Sequence, residues 1–287
     1  MPPAVLNPSP LDDSLINRAA PPGSMRYFTL LYTPADQRAA ITAMYVIDAE
    51  LRESAQSANH DVAHTRLQWW RQEFDRLVNA NPQHPATRIL NAAPGFDRKQ
   101  FARLHELLAA ADMDLARMTY LNQQELRAYC SRCGGVLHEL IAMLLLPGPM
   151  DEPTRAAANR IGIGVRQTEI LRDLRQDAHD GRLYLPLETL DRVGVSVEDL
   201  RGNELSESVK GLLADFRAAV VADLELQKTA FEPATRAYLR PLFVMAGLHR
   251  RLLDRIASHR YDVASRRIEL GPVEKPWVAW RSARAAG

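Results

Sequence analysis

Apolar positions recur along this chain with helical spacing, and no alternating stretch bounded by turns stands against them. From Pro34 to Ser57, Ile41, Met44, Tyr45, Leu51 and Ala55 share one face. Thr33 is placed to cap that helix, Pro34 fits its first position, and Asp36 completes a capping-box pattern. Asp48 and Arg52 fall on the same apolar face, an unusual place for charge. A second helix is predicted from Asp61 to Asn79, with Leu67, Trp70, Phe74 and Leu77 as its stripe and Asn81-Pro82 as its stop. Further helices are predicted over Ala86–Ala92, Arg98–Met118, Gln123–Leu146, Glu152–Asp177, Glu204–Ala230 and Pro233–Ala257, with short turns after Pro186 that include a Ser196 cap. Six prolines among residues 1–23 predict a flexible N-terminal arm with at most a short helix, Asp12 to Ala19. Residues 266–287 read as a basic, Pro-broken C-terminal tail with Trp277 and Trp280 as docking aromatics. The breaks between helices mark no domain boundary. The pattern predicts one all-α domain over residues 24–265, its helices arranged around a central cavity.

Composition narrows the picture without changing it. A chain of 287 residues with 46% hydrophobic content can bury a large core. The net charge of +1 gives no electrostatic reason to expect nucleic acid as a partner. No apolar run reaches the roughly 18 residues of a membrane span, and the first residues lack the basic-then-apolar order of a secretory signal. Two cysteines make no disulfide framework. A cytoplasmic protein is the expectation, with a transient membrane-surface contact if its ligand is apolar.

The chemistry concentrates in Ile161–Pro186. On a helix, Glu169, Asp173 and Asp177 lie four residues apart in one stripe, beside an apolar face made by Ile163, Ile170 and Leu174. Like charges at this spacing repel, so the row calls for a cation. Mg²⁺ suits it, being held by one or two carboxylates plus substrate phosphates. A solvated face neutralised by Arg166 and Arg172 is the alternative on spacing alone.

The run LRDLRQDAHDGRLYLP resembles the second aspartate-rich signature of the squalene/phytoene synthase family. Leu171, Arg172, Asp173, Asp177, Gly181, Arg182, Tyr184, Leu185 and Pro186 all match that pattern, and the resemblance runs from about Ser24 to Ile256. It implies an isoprenoid-synthase-like helical bundle, prenyl diphosphate as the ligand, and head-to-head joining of two such molecules with Mg²⁺ in a dry apolar cavity. Asp173, Asp177 and Arg172 then become catalytic candidates, with Glu169 joining the two aspartates as a metal ligand. Arg182, Tyr184 and Arg52, with Tyr45 and Arg26 near the expected cavity mouth, become substrate-binding candidates.

The first signature departs from the family. PADQRAAITAMY aligns well, but Arg52 stands where the first aspartate belongs, with Glu53 and Gln56 at the next two acidic positions and Ala49 at the phosphate-contacting arginine. An arginine has no acceptor and stays protonated. Arg52 is therefore expected to fill the space metal takes in relatives, pairing with Asp48 or reaching Asp173 and Asp177. The alternative is that Glu50 and Glu53 took over metal binding. DAELRESAQ and RLQWWRQ also resemble a non-catalytic branch of the family that assembles respiratory complex I. A scaffold or assembly factor with a protein partner is thus the second functional reading.

Other features are plainer. Cys130 and Cys133 read as core thiols, since a second ligand pair for zinc is lacking. Trp69, Trp70 and Arg71 read as packing. Gly134-Gly135 inside a helix point either to a kink that leaves room for a prenyl chain or to tight helix packing. His138 reads as a satisfied core or surface histidine rather than a base.

Overall fold

The computed structural model describes residues 11–94, 97–225 and 230–286. Among them the secondary structure is helical throughout, without a strand. The last part of the helix expected to reach Ala230, residues 226–229, and the first ten residues of the expected arm lie outside the described residues.

Helix α1 (Asp13–Ala19) is capped by the Asp12 carboxylate and packs on α3 (Arg38–Ala55). Between them lies α2 (Met25–Leu31), which the hydrophobic pattern did not show; Ser24 caps it by accepting from the Tyr27 amide. The start of α3 differs from expectation by four residues. The Thr33 hydroxyl donates to the Thr29 carbonyl at 3.1 Å, and Pro34–Gln37 form a turn before the helix begins, so the N-cap position falls to Gln37 and Thr33 lies too far back to cap.

Helices α4 (His60–Val78), α5 (Pro85–Asn91) and α6 (Leu104–Leu115, entered through a 3₁₀ turn, Arg98–Arg103) cover one side of α3. Trp70, Phe74 and Leu77 are buried as the stripe predicts, while Trp69 stays part-exposed against His84. The stretch expected as one helix from Gln123 is α7 (Gln123–Cys130), a π turn (Ser131–Gly135) and α8 (Val136–Leu145).

Helix α9 (Glu152–His179) is the axis of the molecule, touching α7, the π turn, α8, α11 (Val197–Arg201), α12 (Glu207–Glu225) and α14 (Arg240–Ser258). Asp151 caps it and Pro153 sits in its first turn. At 28 residues it is about 42 Å long. Its middle is buried nearly all round, as a helix surrounded by others must be. Two glycines let it approach the π turn. A Cβ on Gly134 would stand 2.2 Å from the Gly162 carbonyl oxygen, and one on Gly162 would stand 2.0 Å from that of Gly134. The tight helix packing expected of Gly134-Gly135 is present, and the backbone bulges there as a π turn.

Gly181 ends α9 in a left-handed conformation at φ 74°. The Arg182 amide donates to the Asp177 carbonyl at 2.7 Å and the Gly181 amide to that of Ala178 at 3.2 Å, the Schellman pattern that turns a chain sharply off a helix. Beyond it come α10 (Leu187–Val193), α11, α12 and α13 (Pro233–Tyr238), and α14 packs along α9. The expected tail folds into α15 (Glu274–Ala285), tied to α14 by Arg251–Glu274 at 2.6 Å and Arg255–Glu274 at 2.8 Å. Trp277 and Trp280 stack on each other, 5.0 Å between centroids, and remain exposed. No helix among the described residues is long and apolar enough to cross a membrane.

Candidate functional site

Helices α2, α3, α8, α9 and α14 enclose a cavity of about 170 Å³ beside the glycine contact. Met25, Leu137, Val165 and Met245 give it apolar walls. Arg26, Tyr45, Arg52, His138, Glu169, Arg172 and His249 give it polar ones. Outside it, and sharing Arg172, lies a polar cleft of about 500 Å³ that carries Asp173, Asp177, Arg175, Arg266 and Arg267. Thus Glu169 faces the cavity, whereas Asp173 and Asp177, one and two turns further along α9, face the cleft.

Guanidinium groups bridge the two main walls. Arg52 on α3 bonds Asp48 one turn back at 3.0 Å and reaches across to Glu169 on α9 at 2.8 Å. Its cross-wall partner is Glu169, not Asp173 or Asp177. Arg26 from α2 also bonds Asp48 and lies over the Tyr45 ring, 5.0 Å from its centroid. Arg166 adds a second contact to Glu169 at 3.5 Å. Burial alone would raise the carboxyls of Asp48 and Glu169. The surrounding arginines, Arg52 and Arg26 for the first and Arg52, Arg166 and Arg172 for the second, outweigh it and hold both below the usual carboxylate range.

Asp173 is neutralised from two sides, by Arg172 Nε at 2.9 Å and by Arg267 Nε at 3.1 Å. Asp177 differs. No hydrogen bond or ion pair of its side chain is present among the described residues, and burial pushes its carboxyl up to about 7, against the pull of Arg166 and Arg182. Arg182 is turned away from the cavity, 3.5 Å from both the Ala55 carbonyl and Asp180. Tyr184 donates to Asp114 at 2.7 Å and supports the Arg166 guanidinium, which stands 4.9 Å from its ring centroid. Glu50 and Glu53 lie on the opposite side of α3, paired with Arg18 at 3.9 and 3.2 Å, and line a surface groove with Trp69.

The donor set does not fit a metal bridge between the walls. On α3 both oxygens of Asp48 are engaged by arginines, and position 52 carries a cation. No group of three or more His, Cys, Asp or Glu able to hold a metal ion occurs among the described residues.

Several of these residues escaped the sequence. Asp48 was noticed only as a charge beside Arg52 on an apolar face, and Asp114 and the contacts of Arg166 with Tyr129 and Tyr184 were not seen, because their partners are remote in the chain. His138 needs correction. Its Nδ1 bonds the Gly134 carbonyl at 2.8 Å, but its buried Nε2 has no partner. His249, on α14, was missed and lines the same cavity. Cys130 and Cys133 are buried and unpaired, and burial pushes the Cys133 thiol up to about 11.

A bundle of helices wrapped round one buried axial helix, with a charged cavity against it, defines an isoprenoid-synthase-like all-α protein. The family described as squalene/phytoene synthase matches residues 20–274, and the chain belongs to it. It is 28% identical over 257 residues to a phytoene synthase of Mycobacterium tuberculosis, covering 88% of this chain and 84% of that one. It is 27% identical over 263 residues to a 15-cis-phytoene synthase of Synechococcus elongatus, covering 84% and 82%. Among solved structures, a dehydrosqualene synthase bound to a ligand superposes with a TM-score of 0.81 at 17% identity, covering 94% of each chain. A squalene synthase from Alicyclobacillus acidocaldarius gives 0.72 at 18% identity, covering 86% and 94%. At these identities the structural likeness speaks for the fold.

Proposed function

We propose that this protein binds a prenyl diphosphate where the cleft meets the cavity, with arginines in place of a metal bridge across the walls. The observation that carries the reading is Arg52, bonded at once to Asp48 and Glu169. The diphosphate sits in the cleft against Arg172 and Arg267, whose planar forks suit phosphate oxygens. The carbons next to it enter the cavity. A void of about 150 Å³ is known to take up benzene, so 170 Å³ accepts the start of one chain. Two chains held together for head-to-head joining would require the cavity to widen. A single Mg²⁺ would find Asp173 and Asp177 as its protein ligands.

Calorimetric titration with a farnesyl diphosphate analogue, with and without a chelator, tests the reading. Binding that persists in the chelator supports it; binding that needs Mg²⁺ refutes the replacement of metal by arginine. Incubation with farnesyl and geranylgeranyl diphosphate, Mg²⁺ and a reductant, followed by hydrocarbon extraction, reads condensation directly. The second reading is a scaffold, favoured by the closed Arg52 bridge and by the exposed Trp277 and Trp280. Absence of any diphosphate binding leaves that one standing.

A further inference from the structure

Helix α15 turns Ala279 and Ala283 inward. At about 100° per residue, Val273, Trp277, Trp280, Arg281 and Arg284 fall on its other side, within one stripe about 100° wide. The apolar members stand in solvent, Val273 81%, Trp277 58% and Trp280 41% exposed. Arg284 lies over the Trp280 ring, 5.0 Å from its centroid. The stripe carries no acid. Glu274, the one acid of the helix, is held by Arg251 and Arg255 on α14. Neither Arg281 nor Arg284 has a carboxylate partner among the described residues.

An indole prefers the boundary between water and acyl chains, its ring on the apolar side and its N–H on the wet one. A guanidinium is drawn to anionic headgroups. The occupant of this face must offer apolar matter and negative charge together along a helix about 18 Å long. An anionic lipid surface does so. Two further features point to lipid. A hollow of about 560 Å³ opens beside the stripe between α12, α14 and α15; Leu224, Phe243, Ala246 and Val278 line it, and Trp277 and Arg281 border it. That is several times the void that takes up benzene, and it has room for an acyl chain. Helix α15 also packs on α2, with Lys275 Nζ bonding the Gly23 carbonyl at 3.0 Å. The residues that follow Gly23, Ser24, Met25 and Arg26, form a wall of the cavity on α9.

We propose that the outward stripe of α15 seats this protein on an anionic lipid surface. The helix lies flat, Val273, Trp277 and Trp280 enter the headgroup layer, and Arg281 and Arg284 meet the lipid phosphates. The flank made by α15 and α2 then brings the cavity to the layer that holds an apolar ligand. That last step rests on the prenyl-diphosphate reading; the seating of α15 does not.

The test sediments the full chain with vesicles of phosphatidylcholine, alone or with one third phosphatidylglycerol. Binding to the anionic vesicles is expected to be tighter by about tenfold or more, since each arginine contributes about fivefold, and to weaken as salt rises. Lipid brominated near the headgroup is expected to quench the tryptophan fluorescence of the wild type. Trp277→Ser with Trp280→Ser is expected to lose that quenching and about tenfold or more of the binding. Arg281→Ser with Arg284→Ser is expected to bind the two kinds of vesicle alike. All four side chains are exposed, so melting temperatures are expected to stay where they are. No binding, equal binding of the wild type to both vesicles, or a tryptophan variant that binds and is quenched as before overturns the proposal and leaves the stripe to a protein partner. Calorimetry with a farnesyl diphosphate analogue, without vesicles, reads the ligand separately. An analogue that binds while vesicles do not removes the seating alone. Vesicles that bind while the analogue does not keep the seating and remove the delivery of a prenyl ligand.

Discussion

Arg52 and Glu169, 117 positions apart, meet across the cavity with Nη1 2.8 Å from Oε2. In the squalene/phytoene synthase pattern that side of the cavity carries an acidic residue, and two facing acids repel until a metal joins them. Here the facing charges are opposite and join directly.

Replacing Arg52 by aspartate restores the like-charge arrangement. Arg52→Asp is expected to be less stable than wild type in a chelator and to regain melting temperature as Mg²⁺ is added. The wild-type melting temperature is expected to stay flat over the same titration. Thermal melts at rising Mg²⁺ check this, and a flat response in the variant sinks it.

Removing one partner of a buried pair leaves the other uncompensated, at a cost of about 3–5 kcal/mol. Arg52→Ala alone is therefore expected to cost about that much in urea unfolding. Adding Glu169→Gln to it is expected to recover part of the loss. A double variant as unstable as the two single costs added together would show that the residues do not couple.

Asp177 sets a pH dependence opposite to that of most carboxylates. Its carboxyl is raised to about 7 in the folded chain, so the folded state binds its proton more tightly than the unfolded state does. Its penalty is full above about pH 7 and is relieved as pH falls toward the unfolded value near 4. Asp177→Asn is expected to stabilise the protein at pH 8 by on the order of 2 kcal/mol and to change little at pH 4. Denaturant midpoints at the two pH values decide, and a larger gain at pH 4 refutes the assignment.

The glycines on helices divide into two kinds. Gly134→Ala and Gly162→Ala each drive a methyl into a facing backbone carbonyl, and overpacking of this kind costs about 1–3 kcal/mol. Gly211→Ala on α12 meets nothing within 4 Å, so only the helix preference remains, worth up to about 1 kcal/mol in favour. Chemical denaturation should move the first two down and the third up.

Among the described residues, Arg172 is the one cation shared by cavity and cleft. A charge-assisted hydrogen bond contributes about 1.5–3 kcal/mol. Arg172→Ala is expected to weaken binding of a farnesyl diphosphate analogue by about tenfold or more, read by titration calorimetry. Arg182→Ala, whose guanidinium is turned from the cavity, is expected to change it by less than threefold.

The helices were legible because their signals are local. Pro153, Pro233 and Gly181 mark starts and a stop, and the stripe of Leu67, Trp70, Phe74 and Leu77 declares its own face. The acidic row on α9 was legible for the same reason, since its members are four residues apart. The cavity was not. Glu169 and Asp173 look equivalent in sequence, yet one faces the cavity and the other the cleft, because 100° per residue accumulates along a helix whose neighbours differ at each turn. His138 and His249 come to line one cavity only through the packing of α8 and α14 on α9. Helix α2 spans 7 residues, about two turns, too short to show a period.

The mutual touch of Gly134 and Gly162 acts as a fixed spacer. Two backbones already at closest approach leave no slack on that flank, so any relative of this chain with a roomier chamber must have gained it by moving α2, α3 or α14 outward. Ligand length in such relatives should therefore track substitutions on those three helices and ignore the glycine flank.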